Sequence, residues 1–170
     1  MILKMIGMVF VVAACGSVGF RIAANYRMEE RSLRQLVGIL DYMECELQYR
    51  LTALPELCRQ AAKEYPGEPG NVFLELSLVM NLQVSPDMER CMALSLEKAR
   101  KLPPITRGEL ELLGKSIGRF DLEGQLKGIE AVRHDCRRNL QELSSNRENR
   151  LRSYQTLGIC AGAALAILFI

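Results

Sequence analysis

Apolar positions follow two different patterns along this chain of 170 residues. At its two ends they run almost unbroken, and residues 5–20 and 153–170 contain no charged side chain. Between the ends they recur at the three- and four-residue spacing of helices that face a core, with no strand-like alternation. Leu33, Leu36, Val37, Leu40, Met43 and Leu47 form one such stripe, flanked by Arg34, Gln35, Asp41 and Glu44. Nothing between the first apolar run and this stripe breaks a helix, so one long helix is expected to carry both. Thr52 and Pro55 mark a new start, leading into Leu57, Cys58 and Ala61. The Pro/Gly run at 65–70 (YPGEPG) predicts a loop, and Phe73, Leu76 and Met80 a third helix.

Ser85-Pro86-Asp87 has the chemistry of a helix start: a capping serine, proline at the first position and an acid in the first turn. That helix is expected to end near Arg100, before Pro103-Pro104. Thr106 and Glu109 have capping-box spacing for a fifth helix, with Leu110, Leu113, Ile117 and Phe120 on its apolar face. Asp121 would cap a sixth, whose stripe is Leu122, Leu126, Ile129, Cys136, Leu140 and Leu143. Its charged continuation, residues 144–152, leads without a break into the last apolar run. The expected fold is all-α, an antiparallel bundle of about six helices over residues 26–152 with the first and last helices continuing into membrane spans.

The ends decide how such a bundle is held. Residues 2–24 provide about the ~20 positions needed to cross a bilayer, if Lys4 and Arg21 snorkel outward. Val12-Ala13-Ala14-Cys15 also has the spacing of a lipoprotein box, which would lipidate Cys15. The residues after it, GSVGF, stay apolar where a tethered lipoprotein would turn polar, so a retained span is favoured. Residues 154–170 are short for a second span, and a buried soluble helix is the alternative. There Gly158, Gly162 and Ala166 recur every four residues and would let another helix approach closely. Arg21, Arg27, Arg31 and Arg34 follow the first run, and Arg147, Arg150 and Arg152 precede the second. The positive-inside rule then puts residues 26–152 in the cytoplasm.

Charge and chemistry narrow the function. Of the 22 Lys and Arg, Lys4 and Arg21 belong to the first run, and the rest match the 20 Asp and Glu. No basic field for nucleic acid results. Cysteines 15, 45, 58, 91, 136 and 160 form no CxxC pair, and His134 is the one histidine, so no metal site is expected. Scattered thiols read as small buried side chains in a reducing compartment. Gly114-Lys115-Ser116 imitates the end of a phosphate-binding loop. Five residues separate Gly108 from Gly114, however, and they read ELELL, an amphipathic helix in which the phosphate-cradling turn cannot form. Gly114 and Gly118 instead suit tight helix packing. His134 lies among Arg133, Asp135 and Arg137 on a solvated face, and no nucleophile has an evident base. No catalytic residue, cofactor or metal is expected. The charged clusters Glu29, Glu30, Arg31 and Arg34, and Asp121 with Glu123, remain as candidate partner-binding groups.

RSLRQLVGILDYMECELQYRLTALPEL, ELLGKSIGRFDLEGQLKGIE and the closing LRSYQTLGICAGAALAILFI together resemble the stage III sporulation protein AB family. The second of these runs into Asp121 and Gln125, which adds Gln125 to the candidate site. The resemblance implies a membrane protein of endospore-forming bacteria, made in the mother cell. It also implies a cytoplasmic domain similar to the F-type platform of type II secretion and type IV pilus machines. The implied partners are a secretion-type ATPase and membrane subunits of a channel between mother cell and forespore; further copies of the chain are expected beside them. Secretion platforms repeat the domain; this chain carries one copy. A membrane-tethered adaptor working without an ATPase is the alternative, with a lipoprotein or extracellular enzyme a third.

Overall fold

The computed structural model describes the backbone of residues 2–50, 52–117 and 122–169, and the side chains of residues 24–50, 52–117 and 122–145. Among these residues there are six helices and no strand: α1 (Ile2–Tyr49), α2 (Leu54–Glu64), α3 (Glu68–Asn81), α4 (Met88–Lys98), α5 (Pro104–Ser116) and α6 (Leu122–Phe169). Contacts divide the chain into Met28–Leu140 and a second unit of Met1–Arg27 with Gln141–Ile170. In the second unit the backbone is helical through residues 2–27 and 141–169. The runs expected to span a bilayer, with Cys15, Gly158, Gly162 and Ala166, fall almost wholly outside the described side chains. Among the residues whose side chains are described, no helix is long and apolar enough to cross a membrane.

The unit Met28–Leu140 is a bundle around Leu33, Leu36, Ile39, Leu40 and Met43 of α1, each fully buried. Leu57, Cys58 and Ala61 of α2, Phe73 of α3, Leu110 and Leu113 of α5, and Ile129 and Cys136 of α6 are buried as completely. Met92 and Leu96 of α4 close the core at 1% and 2% exposure. Its Leu, Ile, Met and Phe side chains each contribute ~1.5–3 kcal/mol when buried, the main favourable term for the bundle. From α2 to α5, each helix packs on the next. Gly38 and Gln35 of α1 meet Tyr65 and Pro66 just past α2, while Tyr42 meets Gln60 within it, so these two helices run antiparallel. The pairs Glu109–Asn139 and Ser116–Gly128 give the same direction for α5 and α6.

Several boundaries differ from the sequence expectation, each for a local reason. The Pro/Gly loop is shorter than 65–70, because α3 begins at Glu68 with Pro69 in its first turn and Gly70 inside the helix. Proline's missing N–H costs nothing there. Gly70 stays because a Cβ would collide with the Tyr65 carbonyl oxygen. Helix α4 is capped by Asp87 and not by Ser85: the Asp87 carboxylate accepts the Glu89 N–H at 3.4 Å, leaving Pro86 outside. The capping box at Thr106 and Glu109 does not form, since α5 already starts at Pro104 with Pro103 at the cap. In α6, Leu122 is 39% exposed, and Val132 at 4% belongs to the core stripe in its place. Along α1, Ile39 is fully buried and Val37 only half so. Phe120 and the expected cap Asp121 lie outside the described residues.

Candidate functional site

The charged cluster after the first apolar run splits into two parts. Glu30 and Arg34, one turn apart on α1, pair at 2.9 Å with the Arg34 side chain 67% exposed. Arg31 beside them is exposed too. Glu29 instead turns inward and is 9% exposed. Its Oε1 accepts the backbone N–H of Thr106 at 3.1 Å and the Thr106 hydroxyl at 3.4 Å. Thr106 is the third residue of α5, and Pro103 offers that helix no side-chain cap. One of the orphan donors at this helix N-terminus, and the dipole's positive end, are therefore met by a carboxylate from another helix. Glu29 thus belongs to the fold, and the outward part of the cluster is Arg31 and Arg34, exposed, with Glu30 half-buried beside them.

In the second cluster, Glu123 pairs with Lys127 at 2.7 Å and both side chains are about three-quarters exposed. Gln125 is half-buried, while Gly118 and Asp121 lie outside the described residues. Gly114 is buried against α4, where a Cβ would stand 2.7 Å from that of Met92. The P-loop lookalike is helical throughout, with the Ser116 hydroxyl donating to the Leu112 carbonyl at 3.1 Å.

Two interhelical polar contacts were not legible in the sequence. Arg133 of α6 donates to Asp41 at 3.1 Å and also to Glu44, with Arg137 joining Asp41 at 3.4 Å. The acids lie one turn apart on α1 and the arginines one turn apart on α6, but only the tertiary structure brings the pairs together. The other is Glu109 of α5, at 6% exposure. Its Oε1 accepts from the Asn139 amide at 2.8 Å, and its Oε2 is buried without a partner. Burial first, then the negative field of Asp135, raises the Glu109 carboxyl's pKa; Arg138 and the hydrogen bond from Asn139 oppose the rise. Burial also pushes the thiols of Cys58 and Cys136 up to about 12, so neither is a thiolate nucleophile near neutral pH. The His134 side chain is 79% exposed and lies 3.9 Å from Asp135. No group of three His, Cys, Asp or Glu side chains among the described residues is arranged to hold a metal.

Chemically, this arrangement pairs charges on its surface. The profile of the stage III sporulation protein AB family matches residues 4–170. The chain belongs to this family. A Bacillus subtilis (strain 168) stage III sporulation protein AB is 27% identical over 169 residues, covering 98% of both chains. A solved structure of stage III sporulation protein AB superposes with a TM-score of 0.64 at 20% identity, covering 72% of this chain and 98% of its own. That likeness shows the helical fold is shared. Family membership makes the chain a sporulation protein, and the resemblance in its three sequence segments is thereby confirmed.

Proposed function

We propose that the chain is a non-catalytic platform of a sporulation channel complex, anchored in the mother-cell membrane by both ends. In this reading the bundle lies in the cytoplasm, where it couples a secretion-type ATPase to membrane subunits of the channel. The observation that carries the proposal is the make-up of the two end helices. Each is 48 residues long, and each joins a core-forming segment to a charge-free apolar run of roughly bilayer length. Arginines where these runs meet the bundle support the cytoplasmic orientation. Glu30, Arg31 and Arg34, and Glu123 with Gln125 and Asp121, are assigned to partner docking.

Docking through such groups governs encounter and specificity more than fold stability, because exposed ion pairs contribute only ~0–1 kcal/mol. Charge reversal at Glu30 and Arg34 together, tested by co-purification of the full chain with the sporulation ATPase from membranes, is expected to reduce recovery of the ATPase. Protein level should stay normal. If wild-type chain fractionates with membranes but recovers no ATPase, the adaptor reading replaces the platform. Acyl modification of Cys15 would mean a lipoprotein.

A further inference from the structure

Helix α3 turns a second apolar face outward. Leu74, Leu78 and Leu82, each four residues from the next, are 43%, 49% and 75% exposed, and Val84 just beyond is 56% exposed. They lie on the side opposite Phe73, Leu76 and Ser77, which are buried. Scattered exposed leucines are ordinary, but a continuous ridge of them marks a contact surface. The ridge is held in place at its end. Leu82 N–H donates to the Leu78 carbonyl at 3.0 Å, Gln83 N–H to Met80 at 3.0 Å, and Gln83 takes a left-handed φ of 51°.

Charge decides what fits there. The other exposed residues along the ridge, Asn71, Asn81 and Gln83, are uncharged. The charged residues of α3 are Glu68 and Glu75, and Glu75 already holds Lys98 Nζ at 2.6 Å. A basic partner would have to displace Lys98, and an acidic one would meet Glu68. A second copy crossing at Leu78 meets neither obstacle, because its Glu75 is already paired with its own Lys98 and its Glu68 lies about three turns from the crossing. Size matters too: the ridge offers a few hundred Å² of apolar surface, short of the ~800 Å² per partner typical of a stable complex. Copies free in solution would pair weakly, whereas copies confined to one bilayer gain effective concentration.

We propose that the α3 leucine ridge is the surface through which two membrane-anchored copies of this chain pair. The pairing rests on the anchored-platform reading above. Rows of residues four apart pack into the matching grooves of a like helix at about −50°. Two-fold symmetry puts the middle of the ridge, Leu78, beside its own copy.

The test uses the full chain in native membranes with Cys45→Ser as background, comparing Leu78→Cys with Lys63→Cys, an exposed site off the ridge. A short bis-maleimide should yield several-fold more dimer from Leu78→Cys. The excess should disappear when Leu74→Asp is added and when the protein is diluted in detergent. Folding is not at stake, because both leucines are solvent-exposed. Membrane-bound protein whose Leu78→Cys dimer only equals that of Lys63→Cys would overturn the pairing while leaving the platform reading intact. Recovery of the chain in the soluble fraction would overturn anchoring, and the pairing with it.

Discussion

At the residue scale, two buried carboxylates do opposite things. Glu29 satisfies another helix's N-terminus, so Glu29→Ala should cost about 1 kcal/mol, as loss of a cap does, with chemical denaturation as the measurement. An unchanged midpoint would remove Glu29 from the fold's supports. Glu109 holds one oxygen where nothing donates to it, and a buried orphan acceptor costs ~1–3 kcal/mol. Its raised pKa means the folded chain keeps this proton to a higher pH than the unfolded chain does. The group's contribution is therefore fully present below the ordinary carboxyl value near 4.5 and is lost as pH rises through the raised one. Glu109→Gln keeps the shape without the charge. It should flatten that pH dependence and raise the melting temperature at pH 8 more than at pH 5. Parallel melting curves for the two proteins at both pH values would refute the assignment.

Elements were more legible than their junctions. Six helices could be read from periodicity, because a core-facing stripe is written into one short stretch of chain. The stripe of α1 stands almost as expected, with Leu33, Leu36, Leu40 and Met43 all fully buried. Junctions depend on which of several nearby cap and turn residues wins. At α5 it was Pro104 that set the start, which moved Thr106 inside the helix, where Glu29 reaches it. The site was less legible still: a charged residue reads the same whether it faces water or another helix. Glu29 and Glu30 are neighbours with different fates, and Arg133 looked solvated while its side chain is only 19% exposed. The clamp it makes between α1 and α6 can be weighed directly. A double-mutant cycle on Arg133→Ala and Glu44→Ala should give a coupling of about 1–2 kcal/mol, larger than an exposed pair because both partners are part-buried. Additive losses would show that the Arg133–Glu44 pair adds nothing to the other contacts between α1 and α6.

At the scale of the whole molecule, Met28–Leu140 contains the complete core described above and should fold apart from both ends. The expected outcome is a soluble fragment with a helical circular dichroism spectrum and one cooperative melting transition. A spectrum of coil would mean that the bundle needs the apolar ends to form. The clamp between α1 and α6 can close only late in synthesis. Arg133 follows Asp41 by 92 residues, and Thr106 follows Glu29 by 77. At ~5–20 residues per second, the core face of α1 leaves the ribosome on the order of 5–20 s before its last covering helix exists. The helices α2 to α5, each packing on its predecessor, can assemble on α1 during that interval. A ribosome stalled before α6 would hold a bundle with one side open and Asp41 and Glu44 still without arginine, a natural substrate for quality control.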